Sequence, residues 1–492
     1  MIGRRFGRSP RSVSFSVVAL LFAALAFGFV QPSRADTPLY LHSAEAALPL
    51  SLDIRLGEQR VFEAWNDAFD ALGRFFDRDG DGELDREEAA RLPSPFSLRQ
   101  TLWGHFALEF DIGRTPPQVA EGARASFANL ADHYRKHGVG DAVVATGQVI
   151  ATKQLNAELV RHLDVDGDGD GTISVGELRD AATRLAPLDL NDDELIGPGE
   201  LARGVTSYPG TQGTKLVAAK LRPGAPVGLA PVYALPVAVP EEHRVEYHGY
   251  KSTVITLPLE EPASDQAKRA AAQTAWESYS IAGLTLHLRT ERGVLPARIA
   301  EIQLAADAWF HKFDDDRDDV VTSAEAEGLQ RATFERYLAV ADRDGDKRLS
   351  RDEYRAWFEL QTRIAAVQTL VTAIDFERSL FEQLDADHDG GLSRRDLRTA
   401  PERLEKAGVL VDGKLDLARV PRTILATVSR GHPTSLLRIG ARTGPSWFQA
   451  MDRNGDGEVS ERESLLPGET FQKFDADRDG VLSDAEAARF SE

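Results

Sequence analysis

DRNGDGEVSERESLLPGETFQKFDADRDGVLSDAE, residues 452–486, carries one twelve-residue pattern twice. Asp452, Asn454, Asp456, Gly457, Ser460 and Glu463 stand at positions 1, 3, 5, 6, 9 and 12 of the first copy, and Asp475, Asp477, Asp479, Gly480, Ser483 and Glu486 repeat them in the second. Short oxygen-bearing side chains on alternate residues of a tight turn aim at one point. Gly at position 6 allows the sharp bend, position 7 offers its carbonyl (Glu458 and Val481), and the longer Glu at position 12 reaches back with both oxygens. Such a set suits a hard cation, which takes about six to eight oxygens at about 2.3 to 2.6 Å.

The pattern resembles the loop of the EF-hand superfamily, which implies helix–loop–helix units and Ca2+ as the ion. Read outward from this pair, six more loops carry it. The first follows Val61–Phe76, where Val61, Phe62, Trp65, Phe69, Leu72, Phe75 and Phe76 fall three and four apart and predict an amphipathic helix. Its ligands are Asp77, Asp79, Asp81, Glu83 (through the carbonyl) and Glu88, with Gly82 at position 6 and Asp85 at position 9. Leu84 at position 8 is the apolar residue expected to pair with a sister loop. No second loop follows within fifty residues, so this one pairs at long range or stands alone; a helix is expected over Ala120–Lys136 instead.

A helix with Leu155, Leu159 and Leu163 on one side leads into DVDGDGDGTISVGE, which offers two registers. A start at Asp164 puts Val175 at position 12, which cannot bind. A start at Asp166 gives Asp166, Asp168, Asp170, Thr172 and Glu177, and is preferred. The third loop has Asp189, Asn191, Asp193 and Glu200, but Glu194 replaces Gly at position 6, where a bulky side chain is disfavoured at positive φ. The fourth has Asp314, Asp316, Asp318, Val320 and Glu325, with Asp319 at position 6. The fifth has Asp342, Asp344, Asp346, Arg348 and Glu353, with Lys347 adding strain and positive charge at position 6. The loops at 189 and 342 are therefore expected to be weak. A stretch free of Gly and Pro from Glu353 to Leu384, long enough for one helix or two, delivers the sixth loop: Asp385, Asp387, Asp389, Gly391 and the shorter Asp396.

Loop starts 166 and 189 lie 23 residues apart, as do 452 and 475. That leaves room for one short shared helix rather than two private ones, a compact spacing that resembles dockerin-type modules, while Glu at position 12 resembles calmodulin. Counting 23 residues on from Asp385 finds GVLVDGKLDLAR, residues 408–419, which keeps Asp412, Gly413, Leu415 and Asp416 but has lost positions 1, 3 and 12. It reads as a metal-less partner for the sixth loop. The same logic pairs 166 with 189 and 314 with 342.

Residues 204–298 differ. Six prolines between Pro209 and Pro240 exclude a continuous helix, Ser252–Leu257 and Leu284–Arg289 alternate as strands do, and Ala263–Ser280 reads as a helix. The expected architecture is mainly α. It has EF-hand units with short shared helices over 36–203 and 299–492, and a small β-containing, Pro-rich insert over 204–298. Residues 1–35 read as a signal peptide: Arg4, Arg5, Arg8 and Arg11, an apolar run from Val17 to Val30, and a presumed cut after Ala35.

The net charge of −20 disfavours nucleic acid, which needs Lys and Arg on phosphates, and favours cations. The chain has no cysteine, which excludes disulfides and thiolate sites. His133 and His137, four apart, read as a solvated helix face; a transition-metal pair is the sharper alternative. His243, His248 and His287 lie in the insert without a matched nucleophile. The expectation is an exported calcium-binding protein, its fold stabilised by calcium for buffering, scaffolding or binding an unidentified protein partner. It is not expected to touch a membrane once the leader is removed. One alternative is a sensor that opens a groove, although only Met451 remains outside the leader to line a Met-rich surface. The other is an exported enzyme with its site in the insert.

Overall fold

Each loop begins where a helix packed by apolar residues meets its first aspartate. The computed structural model shows this throughout the residues it describes: 37–42, 47–95, 97–98, 119–120, 122–137, 139–149, 151–164, 172–203, 205, 251–257, 277–281, 283–326, 331–433 and 444–489. Incoming helices Val61–Phe76, Leu295–Phe313, Leu380–Leu384, Ser446–Met451 and Gly468–Phe474 end with Asp77, Asp314, Asp385, Asp452 and Asp475 as their C-caps; Arg331–Ala341 ends just before Asp342. The outgoing helices start with a capping box built from positions 9 and 12: Asp85 with Glu88, Ser174 with Glu177, Ser350 with Glu353, Ser393 with Asp396, and Ser483 with Glu486. The same two side chains thus close the loop and open the next helix.

Position 8 joins the loops in pairs. Val321 faces Leu349, and Val459 faces Leu482, in antiparallel ribbons between neighbours in sequence. Leu84 of the first loop faces Ala125, and Ser126 caps helix Phe127–Lys136. The first loop therefore has a partner of its own, one without the ligand pattern. The other four loops exchange partners. Ser174 bridges Lys414, and the N–H of Leu415 donates to the carbonyl of Ile173 (2.7 Å). Ile196 and Leu392 exchange both backbone bonds at 3.1 Å. The 166 loop thus pairs with the metal-less loop, and the 189 loop with the 385 loop, contrary to the pairing by proximity in sequence. Between 166 and 189 the link is two short helices, Val175–Arg179 and Ala181–Leu185, and a 3-10 turn.

The expectation of a mainly α chain is corrected to a mixed α/β fold, because a five-stranded sheet runs through its centre. Its order is Ala142–Gln148, Thr369–Asp375, Arg422–Ser429, Leu284–Glu291, Glu277–Ile281. The first two strands are parallel, the next pair antiparallel, the next parallel and the last antiparallel. Instead of one or two helices, residues 351–384 form helix Arg351–Ala366, the strand Thr369–Asp375 and helix Leu380–Leu384. The strands read in the insert exist, but they belong to larger sheets: Lys251–Leu257 lies parallel to Ala47–Leu56, and Leu284–Glu291 is an inner strand of the central sheet. The carboxyl end of the expected 263–280 helix is the strand Glu277–Ile281; residues 258–276 lie outside the described residues.

Side chains alternate across the sheet, so it has two faces. Leu284, Leu286, Leu288, Val371, Ala373, Ile424, Ala426 and Val428 join a core with Trp65, Phe69, Phe76, Phe310, Tyr337, Tyr354 and Trp357. That core carries the hands at 77, 314 and 342. Ile374 and Leu425 contribute to a second core with Leu155, Leu159, Leu163, Leu178, Phe381, Leu384 and Leu404, which carries the four cross-paired loops. Phe448, Val459, Phe471, Leu482 and Ala487 form a small third core under the carboxyl-terminal pair.

Candidate metal centres

Position 1 of each loop is held by the backbone it bends. The carboxylate of Asp77 accepts from the N–H groups of Gly80 (2.8 Å) and Gly82 (3.0 Å). Asp385, Asp452 and Asp475 accept from Gly390, Gly457 and Gly480 at position 6 in the same way. Position 12 spans the loop: Glu88 accepts from Arg78 N–H (2.7 Å) with one oxygen and from Asp85 N–H (3.0 Å) with the other. Glu325, Glu353, Asp396, Glu463 and Glu486 do likewise. These bonds fix the outer lone pairs and leave the inner ones facing the loop.

Five sets of donor oxygens gather with all atoms within 4.8 Å of one another: Asp77, Asp79 and Asp81; Asp314, Asp316 and Glu325; Asp342, Asp344 and Glu353; Asp385, Asp387 and Asp396; Asp475, Asp477 and Glu486. Two ligands on opposite sides of an ion bound at about 2.3 to 2.6 Å lie about 5 Å apart, so these sets fit a calcium ion. An EF hand family model matches residues 74–91, 164–181, 377–400, 446–463 and 468–491. These five segments are EF hands. No curated protein and no solved structure matches the chain.

The EF-hand matches omit the fourth and fifth loops, although both gather their carboxylates. Asp319 and Lys347 at position 6 adopt the left-handed conformation that Gly would take, at φ 62° and 64°. Their N–H groups still reach Asp314 and Asp342, at 3.2 Å each. The expected weakness of the fifth loop is therefore strain rather than loss of shape, about 1 kcal/mol for one left-handed residue. Position 4 is left-handed as well, with Gly80, Gly345 or Gly455 in three loops and Arg317, His388 or Arg478 in others.

In the third loop Glu194 also turns left-handed (φ 65°) and donates its N–H to Asp189 (3.0 Å). Asp189, Asp193 and Glu200 form none of the acidic clusters found among the described residues, and neither do Asp452, Asp456 and Glu463 of the seventh loop; both loops carry Asn, Asn191 and Asn454, at position 3. In the second loop Asp166, Asp168 and Asp170 lie outside the described residues. Its ends are informative. Helix Thr152–Leu163 is capped by Asp164, which takes the place that position 1 has elsewhere, while Ser174 and Glu177 form the capping box of positions 9 and 12. Asp164 thus caps the incoming helix, while the outgoing end keeps the positions 9 and 12 of the register that starts at Asp166.

Burial divides the hands. In the sixth loop Asp385, His388, Ser393 and Asp396 are buried. Burial, and then repulsion from Glu382, Asp389 and other loop acids, pushes Asp385 well above the usual carboxylate range. Burial and Asp387 raise Asp389 to about 8. In the seventh loop burial raises Asp456 to about 7, with Asp452 and Glu463 adding repulsion. Two position-12 groups behave oppositely. For Glu325, burial pushes upward, but hydrogen bonds from Thr322, Asp315 and Asp316 outweigh it and hold the group below its usual value. Glu486 is lowered in the same way by Ser483, Ala476 and Asp477.

The histidines do not gather into a metal centre among the described residues. His133 and His137 stack at 4.2 Å, with Nδ1 of His137 2.8 Å from the carbonyl of His133. His287 lies 4.2 Å from the ring of His388 and pairs its Nδ1 with Ser278 Oγ at 2.9 Å. Burial, and then His388, pushes His287 down to about 3, which leaves it neutral at ordinary pH. His243 and His248 lie outside the described residues.

Proposed function

We propose that this is an exported calcium-binding protein, a binding protein rather than an enzyme, in which calcium acts as the cross-link that holds the hands and the sheet between them. The observation that carries the reading is the gathering of carboxylates at positions 1 and 3, with 5 or 12, in five loops. Positions 1, 3, 5 and 12 and the carbonyl at position 7 would hold each ion. The ion supplies positive charge to acids that otherwise repel one another, and ties an incoming helix to an outgoing one. At free calcium about ten times a site's dissociation constant, each occupied site stabilises the fold by about 1.4 kcal/mol. Extracellular hands bind at about 10⁻⁴ to 10⁻³ M, a range suited to buffering or scaffolding outside the cytoplasm. What supports export is the basic and then apolar sequence of residues 1–35.

Native mass spectrometry of the processed chain tests the first half. Four to eight bound calcium ions are expected, and none or one overturns the reading. Amino-terminal sequencing of protein from its own cell tests the second, with a start at Asp36 expected and a start at Met1 against it.

A further inference from the structure

The third and seventh loops, which share Asn at position 3, both stand outside the five gathered acidic sets, and they meet each other. Residues 192–194 of the third loop lie against the seventh loop. Asn454 Nδ2 donates to the carbonyl of Asp193 (3.1 Å), Ser460 Oγ donates to Glu194 Oε1 (2.8 Å), and Arg462 pairs with Asp192. Beside them Arg398, on the outgoing helix of the sixth loop, donates to Asp479 Oδ2 (2.7 Å) and pairs with Glu458. A Cβ at Gly457 would lie 2.9 Å from the guanidinium of Arg395. The carboxyl-terminal pair is thus seated on the cross-paired body through its own calcium loops.

The decisive detail is the hydroxyl at position 9. In the five other hands that have a hydroxyl there it donates to the position-12 carboxylate: Ser174 to Glu177 (3.0 Å), Thr322 to Glu325 (2.8 Å), Ser350 to Glu353 (2.7 Å), Ser393 to Asp396 (2.8 Å), Ser483 to Glu486 (2.9 Å). A hydroxyl has one proton to give. In the seventh loop Ser460 gives it to Glu194 instead, so docking relieves Glu463 of a bond that its sisters make. Asn454, a position-3 ligand, has its amide N–H committed to Asp193, while its Oδ1 accepts from Asp456 N–H (3.1 Å) inside the loop. Glu194 also gains a reason. Gly would fit its left-handed backbone without strain but has no carboxylate to offer Ser460.

We infer that residues 192–194 are a receptor for the 452–463 loop, and that calcium loading of that loop and docking of the carboxyl-terminal pair form one coupled equilibrium, each strengthening the other. Asp452, Glu458 and Glu463 lie buried together beside this seat, with Glu458 paired across it to Arg398, an arrangement whose acids repel one another when the loop is empty and are neutralised by the ion. Linkage then requires that whatever loosens the seat weakens calcium in the loop by the same factor.

This inference rests on the calcium reading, and the test separates the two. The chain has no cysteine, so exposed Glu405 and Glu469 can be replaced by Cys and spin-labelled in the full processed protein. Calcium should narrow the distance distribution between the labels. Glu194→Gly, which relieves backbone strain and so does not threaten folding, should raise the calcium needed for that narrowing about three- to tenfold, the worth of one lost hydrogen bond. Asn454→Asp, which adds a ligand charge but removes the donor to Asp193, should shift it the same way. A distribution that ignores calcium while mass spectrometry counts bound ions would overturn the coupling and leave the calcium reading standing. A Glu194→Gly variant that binds calcium equally well or better would also overturn it. Absence of bound calcium altogether would sink the reading beneath it.

Discussion

The seventh and eighth loops stand 23 residues apart, share the same ligand spacing and pair through Val459 and Leu482, yet their chemistry differs. Positions 1 and 12 are buried in both, but Glu458 and Ser460 of the seventh loop are buried as well and meet Arg398 and Glu194, whereas Asp477 and Asp479 of the eighth loop are exposed. Burial pushes Asp456 up to about 7, while Glu486, reached by several hydrogen-bond donors, is held below its usual value. A ligand pattern therefore sets which ion can bind, and its surroundings set what the loop does when the ion is absent.

The widest test of that contrast is removal of calcium. Adding chelator to the saturated protein should lower the thermal midpoint, with a loss of about 2.7 kcal/mol per site if calcium had stood at a hundred times its dissociation constant. Hydrogen exchange should show the greatest loss of protection around loops 385–396 and 452–463, where unneutralised acids are buried; equal loss in every hand would break the contrast. Next come the position-12 variants. Glu463→Gln and Glu486→Gln should each weaken calcium binding at their own loop, but with opposite effects on the ion-free chain. Glu463→Gln removes a repelling charge and should raise the ion-free midpoint; Glu486→Gln loses charged hydrogen bonds and should lower it, through a loss of about 1 kcal/mol of stability. Matching signs in a calorimeter would refute the division into buried and exposed hands.

The pH dependence should follow. An acid whose folded pKa lies above its unfolded value favours folding at low pH, and loses that contribution as pH rises through the folded value. For Asp389 the window runs from about 3.8 to about 8, and for Asp456 from about 3.8 to about 7. Glu325 and Glu486 act the other way, lending stability above the ordinary carboxylate range and losing it as pH falls through their lowered values. The ion-free midpoint should therefore fall from pH 5 to pH 8, while the calcium-loaded midpoint stays flatter, as melts in parallel buffers would show. The smallest effect is expected at the exposed fifth loop. Lys347→Gly should relieve left-handed strain and remove a positive charge, stabilising the chain by about 1 kcal/mol and tightening calcium there, measurable by titration.

The loops were readable because each position is a local chemical demand met within twelve residues, and the helices before them because Trp65, Phe69 and their counterparts repeat at helical spacing. Of the central sheet only the strand Leu284–Glu291 was readable. Thr369–Asp375 and Arg422–Ser429 are buried on both faces, so TLVTAID and RTILATVS show no inside–outside alternation, and the first lies between two helical segments. Partner exchange was hidden for a different reason. Ile173, Ile196, Leu392 and Leu415 are similar apolar residues, and nothing in their chemistry says which should meet which. Glu194 looked like a defect because its worth lies in Ser460, 266 residues away.

The exchange of partners sets an order on how this chain can be made. Residues 172–201 meet the strands and loops that complete them only after residues 369–415 exist, so neither half of that body closes alone. Contacts of such long range fold slowly, and leave apolar faces such as Leu155, Leu159 and Leu163 uncovered in the meantime. The same weave outlasts a break. A single cut between residues 205 and 251 would leave two fragments clasped by the parallel strands Ala142–Gln148 and Thr369–Asp375 and by two interlocked pairs of loops.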